Sequence, residues 1–193
     1  MKDENAVVLD FLEHGKPTGN DEPMAQIIGK DNFNLLEVAV RDDVHLKAGD
    51  EVYIGEGERE EVKYIKGKIT TDDLTGNASS ELDYVLEDLI EDNEDRFVTF
   101  FNKAGPITTR QHSLELLPSV GEKHMWQIID ARDAEEFESF DDIQERVELL
   151  PDPRNIILKR LKKELGGGQK RYLFVTPPKS EDRDKFIGAL NLE

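Results

Sequence analysis

The chain has 193 residues, with 25 basic and 43 acidic side chains and a formal net charge of −18. That length supports one good core or two modest ones. So large an excess of acid excludes a protein whose whole surface attracts nucleic acid, because its field repels phosphate at long range. Any nucleic-acid site must therefore be local.

The absence of cysteine excludes disulfides, thiolate catalysis and thiolate metal sites. The first residues lack the uninterrupted apolar run of a signal peptide, and nowhere do about 18 apolar residues follow one another. We therefore expect a soluble, cytoplasmic protein with no membrane partner.

Residues 1–76 carry the signals of short strands. Apolar runs at 25–28 and 35–40 are separated by a Gly/Lys/Asp/Asn turn, which predicts a hairpin. Alternating stretches follow at 52–54 and again around Val62 and Tyr64. Several short strands joined by Gly/Asp turns predict a small antiparallel β-barrel, and an OB-like barrel is the first choice.

Three aromatic residues of these strands, Phe33, Tyr53 and Tyr64, suggest a second hypothesis. OB-type barrels stack single-stranded bases on such side chains, whereas packing in the core is the alternative. By strand parity, Lys66 and Lys68 share a face with Tyr64 and would line a groove. The barrel is therefore a candidate contributor to RNA binding.

From residue 77 onward the apolar spacing becomes helical. Ser79 or Ser80 is a candidate cap for a helix whose apolar positions follow 3–4 spacing. Those positions are Leu82, Val85, Leu86, Leu89 and Ile90. A second helix places Phe97, Phe100 and Phe101 along one side and ends at Gly105, before Pro106. Residues 77–109 are thus predicted to be linking helices.

The segment "LPSVG", residues 117–121, predicts a tight corner between two short helices. Pro118 stops the first helix, and Gly121 can take a positive φ and turn the chain into the second. Apolar faces are expected at Leu114 and Leu117 before the corner, and at Met125, Trp126, Ile128 and Ile129 after it. The amides of residues 119–122 would lie at a helix N-terminus, which is a ready anion site.

This segment resembles the helix-hairpin-helix motif of nucleic-acid-binding proteins, whose hairpin commonly reads Leu-Pro-Gly-aliphatic-Gly. Serine stands at 119 where the motif usually has glycine, and Lys123 falls where it often has a basic residue. Such motifs often come in pairs. Residues 137–165 fit a second copy, in which residues 150–153, "LPDP", replace the hairpin without either glycine.

Two longer blocks, "RFVTFFNKAGPIT" and "LELLPSVGEKHMW", are similar to an archaeal family known as domain of unknown function 655. The resemblance spans roughly residues 20–175. It implies a barrel-like N-terminal part, a paired helix-hairpin-helix domain over residues 110–176, and RNA binding. It implies no reaction. Residues 177–193 are left as a C-terminal tail.

Residues 154–171 form the strongly basic stretch of this acidic chain, with seven basic residues and one acid. The seven are Arg154, Lys159, Arg160, Lys162, Lys163, Lys170 and Arg171. A solvated helix face is the usual explanation of such a run. The positive charge of this run, in a chain whose net charge is −18, favours a phosphate-binding surface instead.

Other candidate sites are weaker. The four histidines are scattered and none pairs with another at the spacing of a helical metal site. The segment "GGGQK" at 166–170 lacks the spacing of a phosphate-binding P-loop and fits a helix stop better. The acidic clusters do not form a nuclease pattern. We therefore expect no metal, no cofactor and no catalytic residue.

Together these patterns predict an α+β protein that binds nucleic acid, RNA in preference to DNA, without catalysis and largely without sequence preference. The predicted contacts are the backbone amides of Ser119, Val120, Gly121 and Glu122, the side chain of Lys123, and the seven basic residues of 154–171. The alternative is a protein-interaction module in which a degenerate helix-hairpin-helix domain binds a basic partner protein.

Overall fold

Residues 3–17 and 21–177 are described by a computed structural model, and they form an α+β protein. The strands are β1 (Asn5–Leu12), β2 (Met24–Gly29), β3 (Leu35–Val40), β4 (Glu51–Tyr53), β5 (Val62–Lys68), β6 (Pro106–Thr108) and β7 (Gln111–His112). The α-helices are α1 (Gly76–Asp92), α2 (Glu94–Lys103), α3 (Glu122–Ala134), α4 (Phe140–Arg146) and α5 (Pro153–Leu165). Two 3-10 turns lie at Thr71–Asp73 and Ser113–Leu116. The predicted tail lies outside the described residues from residue 178 onward.

The large sheet is antiparallel and has the strand order β4-β1-β2-β3-β5. Its first four strands are in Greek-key order. The predicted hairpin is β2–β3, in which Ile28 pairs with Leu35. The hairpin turns through Phe33, whose φ is 53° and whose side chain is fully buried. The sequence patterns did not predict β1, although it lies inside the sheet, between β4 and β2.

The predicted barrel is only half formed. The sheet curls, but β4 and β5 are its edges and do not pair with each other in the described part of the chain. β4 has three residues, and the next segment folds back over Tyr53, whose hydroxyl accepts the Gly57 amide at 3.2 Å. A Cβ added at Gly55 would lie 2.3 Å from the same hydroxyl. The chain therefore turns away at the point where a closed barrel would continue.

The two faces of the sheet pack into two cores. Val8 and Ile27 point into the small core inside the curl, whereas Val7 and Ile28 point into the large core on the helical side. Adjacent residues of a strand face opposite ways, so β1 and β2 supply both cores. Burying each aliphatic side chain fully contributes about 1.5–3 kcal/mol to the free energy of folding.

The helices α1 and α2 belong to the large core. They pack against strands and helices that are distant in the sequence, so they are more than linkers. The five predicted apolar positions of α1 are buried, and the three phenylalanines of α2 are fully buried. Thr75 caps α1 by accepting the Ala78 amide at 3.0 Å, so the predicted cap at Ser79 or Ser80 is wrong. α1 contacts both β1 and α5. The large core contains residues from both sides of the predicted segment boundaries at 76 and 109. The segment boundaries stay predictions.

No helix in the described residues is both long enough and apolar enough to cross a bilayer.

Candidate functional site

Hairpin 1, Leu117–Gly121, joins the 3-10 turn Ser113–Leu116 to α3, so the helix before it is a single turn. Leu117 and Val120 are buried at 2% and 5% exposure, and the Val120 amide donates to the Leu117 carbonyl at 3.2 Å. Ser119 takes the left-handed conformation, with φ of 66°. Gly121 has φ of −94°, so the predicted positive φ at Gly121 is wrong. The turn depends on Ser119 instead.

The N-terminus of α3 is open. Gly121 occupies the N-cap position and supplies no side-chain cap, and no described group accepts the amides of Gly121, Glu122 and Lys123. A Cβ added at Gly121 would meet nothing within 4 Å. His124 donates from Nδ1 to the Ser119 carbonyl at 3.1 Å, which ties the hairpin to α3. These amides and the helix dipole together favour an anion in front of α3.

Hairpin 2 is Val147–Leu150, between α4 and α5, and it repeats the backbone of hairpin 1. The Leu150 amide donates to the Val147 carbonyl at 3.3 Å. Both residues are buried, and Leu149 between them has φ of 60°. The sequence prediction placed this hairpin at residues 150–153, three residues too late. Leu150 and Pro151 have the same sequence as Leu117 and Pro118 of hairpin 1. They stand at the end of the turn in hairpin 2, whereas Leu117 and Pro118 begin the turn in hairpin 1.

The N-terminus of α5, after hairpin 2, is capped, whereas the N-terminus of α3, after hairpin 1, is not. Asp152 is the N-cap of α5, and its carboxylate accepts the Arg154 amide at 2.9 Å. Pro153 follows as the first residue of α5 and has no N–H to donate. A negative cap and a missing donor make hairpin 2 a poor anion site.

Arg160 is not on the surface, so it leaves the predicted phosphate-binding set. Its Nε donates to Glu164 at 2.6 Å, with the side chains 3% and 0% exposed. The other guanidinium nitrogens donate to the carbonyls of Leu116 and Arg171. Glu164 also accepts the three amides of residues 173–175. Burial raises the pKa of Glu164, while Arg160 and these amides act against that rise.

Two more basic residues of α5 are paired with acids of the protein itself. Arg154 donates to Glu91 at 2.6 Å and to Asp141 at 2.9 Å, and its guanidinium lies 5.1 Å from the centre of the Phe140 ring. Lys162 lies 2.7 Å from Asp83 of α1. Their charges are largely neutralised locally, so they contribute little attraction for phosphate.

Three predicted lysines of this stretch remain available. The exposed Lys159, Lys163 and Lys170 form no ion pair with the described residues. Lys159 and Lys163 lie one helical turn apart and flank Arg160, which reaches Leu116 immediately before hairpin 1. This part of α5 therefore lies beside hairpin 1. Arg171 is half-buried.

The barrel candidates do not form the predicted groove. Tyr64 donates to Glu22 at 2.8 Å, and Lys63 and Lys66 lie 3.6 and 3.2 Å from the same carboxylate. Two register shifts break the alternation of β5, so the predicted shared face of Tyr64 and Lys68 is wrong. Phe33 is buried, which excludes it as a stacking platform.

Lys68 instead contacts the C-terminal segment. Its Nζ donates to the carbonyl of Thr176, and burial lowers the pKa of Lys68 to about 8. Asp3 acts against this lowering.

Neither a metal site nor a nucleotide loop is formed in the part of the chain that the structure describes. No group of three or more His, Asp or Glu side chains there is arranged to hold a metal ion. Gly166 ends α5, and Gly167 and Gly168 take φ values of 74° and 69°. The segment 166–170 is thus a helix stop.

Two exposed apolar residues were not identified from the sequence as surface features. Trp126, predicted on the apolar face of α3, is 54% exposed, and Leu149 at the tip of hairpin 2 is 77% exposed. The inward residues of α3 are Met125 and Ile128. Glu122 stands four residues before Trp126 and Asp130 four residues after it, and this helical spacing is the sequence signal of an exposed position.

Comparison with known proteins identifies relatives over most of the chain. A family model described as "Protein of unknown function (DUF655)" matches residues 2–176. Uncharacterized protein MJ0038 of Methanocaldococcus jannaschii is 46% identical over 172 residues, 88% of this chain and 78% of that protein. The crystal structure of Af1531 from Archaeoglobus fulgidus is 44% identical, with a TM-score of 0.78, over 88% of this chain and 97% of that one. Neither description names an activity.

Proposed function

Because the chain belongs to the family described as "Protein of unknown function (DUF655)", which supplies a fold and no activity, we propose a function from hairpin 1 and its surroundings. The function is non-catalytic, largely sequence-independent binding of nucleic acid, with RNA preferred over DNA. The observation that carries it is the uncapped N-terminus of α3, with open space in front of Gly121.

The proposal includes two finer assignments of the fold. Hairpins 1 and 2 are a helix-hairpin-helix pair, which their repeated turn with a left-handed third residue supports. The half-barrel is OB-like, which the Greek-key order of its strands supports. On β5, Lys63 and Lys66 are held by Glu22 and Lys68 donates to Thr176, so we place the binding surface on the helical side.

One phosphate is held by the amides of Gly121, Glu122 and Lys123. Hydrogen bonds to a charged group contribute about 1.5–3 kcal/mol each, more than neutral ones. Val120 leaves the predicted donor set because its amide already donates within the turn. Ser119 provides the left-handed turn and an exposed side chain beside the site.

Neighbouring phosphates are contacted by lysines around this point. Lys123 lies in the first turn of α3, and Lys159 and Lys163 extend from the adjacent part of α5. Lys170 and Arg171 continue the basic segment beyond the helix. Such contacts position a polyanion without reading bases, which makes the binding sequence-independent. The preference for RNA rests on the family resemblance alone.

The decisive variant is Gly121→Ala. Its φ of −94° suits alanine and an added Cβ meets nothing within 4 Å, so the fold is retained. The methyl group projects into the open space beside the Gly121 backbone, and we expect the affinity for a single-stranded RNA to fall about tenfold or more at low salt. Filter binding with RNA and DNA of the same sequence measures both the loss and the preference.

Gly76→Ala is the matched control, because Gly76 begins α1 and also has open space at its Cβ. It should leave RNA affinity unchanged. Equal affinity of wild type and Gly121→Ala, or no binding of either nucleic acid at low salt, would contradict the proposal.

A salt titration tests the lysines separately. For single strands the slope of log K against log salt becomes shallower by about 0.7 for each phosphate that the protein no longer neutralises. Lys159→Ala with Lys163→Ala should therefore reduce the slope by about 1.4. Lys162→Ala, whose lysine is paired with Asp83, should leave it nearly unchanged.

A further inference from the structure

We propose that the exposed side of α3 binds a basic segment of a partner protein through Trp126 and three flanking carboxylates. This surface, the α3 stripe, consists of Glu122, Trp126, Asp130 and Asp133, all of them exposed. It lies along the side of the helix, whereas the amides of hairpin 1 point along its axis. The proposal therefore stands whether or not hairpin 1 binds nucleic acid.

Trp126 is the feature that sets this side of α3 apart. It is the single tryptophan of the chain, and it is 54% exposed although α3 has a buried side. Met125 turns inward, so the next residue is rotated by about 100° towards solvent. Tryptophan is enriched at protein interfaces and among the residues that dominate their binding energy. An indole left in water on a folded helix thus indicates a contact surface.

The neighbours of Trp126 determine the chemistry of the partner. Positions 122, 126, 130 and 133 are three or four residues apart, so their side chains share one side of the helix. The carboxylates of Glu122, Asp130 and Asp133 form no ion pair with the described residues. An aromatic face flanked by carboxylates attracts the guanidinium of arginine or the ammonium of lysine.

The length of the α3 stripe limits the size of the segment. At a rise of 1.5 Å per residue, Glu122 and Asp133 lie about 16 Å apart along the helix. An extended chain covers that distance in about five residues. A short segment with two or three arginines or lysines can place one cation over the indole and the others on the carboxylates.

The test uses the full chain and a short labelled peptide of Arg, Lys, Gly and Ser, with binding followed by fluorescence anisotropy. We expect Trp126→Ala to weaken binding about five- to tenfold, in line with a cation–π contact. Trp126→Phe should retain most of the affinity, and Asp130→Asn with Asp133→Asn should weaken binding by a similar factor. Because the wild type has one tryptophan, its intrinsic fluorescence should change as the peptide is added.

The matched control is on α1, where Tyr84 is 68% exposed and Asp88 follows one turn later. Tyr84→Ala with Asp88→Asn removes the same kinds of group from another acidic surface and should change the affinity less than twofold. An equal loss in this control would show general attraction to an acidic protein and overturn the proposal. Unchanged binding by Trp126→Ala would overturn it too. So would tryptophan fluorescence that responds to single-stranded RNA and not to the peptide, since the α3 stripe would then be a base-stacking surface.

Discussion

Hairpin 1 and hairpin 2 turn the chain in the same way but leave the following helix in different states. Both close with an amide donated three residues back, and both carry a left-handed third residue, Ser119 in one and Leu149 in the other. After hairpin 1 the helix begins with Gly121 and free amides. After hairpin 2 it begins with Asp152, which caps it, and Pro153, which has no amide proton.

The difference teaches that the turn and the anion site are separable properties. The turn requires buried residues on both sides of a left-handed position, and a serine or a leucine can occupy that position at some cost. The anion site requires unoccupied donors, and those depend on the residues after the turn. A degenerate hairpin can therefore keep its packing and lose its ligand, as we infer for hairpin 2.

The largest expected effect concerns Arg160, the residue that joins the two hairpins. It lies on α5, after hairpin 2, and donates to Leu116, before hairpin 1. Arg160→Ala leaves the Glu164 carboxylate buried without its counter-charge, which typically costs about 3–5 kcal/mol. Urea unfolding should show this loss as a lower midpoint with an unchanged slope.

Lys159→Ala is the control for this change, because the exposed neighbouring lysine forms no ion pair with the described residues. Its free energy of unfolding should stay within about 0.5 kcal/mol of wild type. A loss below about 1 kcal/mol for Arg160→Ala would mean that the buried pair does not hold the two hairpins together.

The next effect compares the two left-handed positions directly. A left-handed conformation costs a residue other than glycine about 1–2 kcal/mol, and glycine loses part of that gain through its own chain entropy. Ser119→Gly and Leu149→Gly should each raise the free energy of unfolding by about 0.5–1 kcal/mol. Leu149 is 77% exposed, so little burial is lost with its side chain.

Only one of the two glycine variants should also change the affinity for RNA. Ser119→Gly lets the backbone come closer to a phosphate and should keep or raise the affinity, whereas Leu149→Gly should leave it unchanged. Thermal unfolding and filter binding on the same samples separate the two effects. If neither substitution stabilises the protein, the left-handed positions carry no strain and the shared-turn comparison fails.

Local periodicity predicted the parts of this fold that depend on nearby residues. The buried positions of α1, such as Leu82 and Leu86, follow from 3–4 spacing, and the hairpin β2–β3 follows from its turn residues. The position of hairpin 1 was predicted because Pro118 and Gly121 mark it. Its open helix end was predicted from a positive φ at Gly121 that the structure does not have, and the end is open because glycine offers no side-chain cap.

The remaining features depend on contacts between distant segments. Arg160 donates to the carbonyls of Leu116 and Arg171, and its partner Glu164 accepts the amides of residues 173–175. No helical pattern relates these segments to α5. Hairpin 2 was missed by three residues because a leucine at φ of 60° gives no sequence signal of a left-handed turn. Barrel closure depends on the path between β4 and β5, which Tyr53 diverts.

The smallest expected effect is the pH dependence of one of the caps that precede the two hairpins. Before hairpin 1, His112 Nδ1 accepts the Leu114 amide at 3.1 Å, and before hairpin 2 the Ser139 hydroxyl accepts the Asp142 amide at 3.1 Å. Burial lowers the pKa of His112 below 6.5, and Arg132 lowers it further. The ring accepts this hydrogen bond only while Nδ1 is unprotonated, so one cap titrates and the other does not.

The sign follows from proton linkage. Between pH 6.5 and the lowered pKa of the folded state, the unfolded chain binds the proton of His112 more readily than the folded chain does. The stabilisation by neutral His112 is therefore present above pH 6.5 and is lost as the pH falls through the lowered value. His112→Asn keeps a hydrogen-bond acceptor that does not titrate. The fall in the free energy of unfolding below pH 6.5 should therefore be smaller than in wild type, by a fraction of the ~1 kcal/mol that a helix cap contributes. Ser139→Ala should lose about 1 kcal/mol at every pH. Urea unfolding from pH 5 to 8 measures all three, and parallel curves for wild type and His112→Asn would show that the cap of hairpin 1 does not titrate.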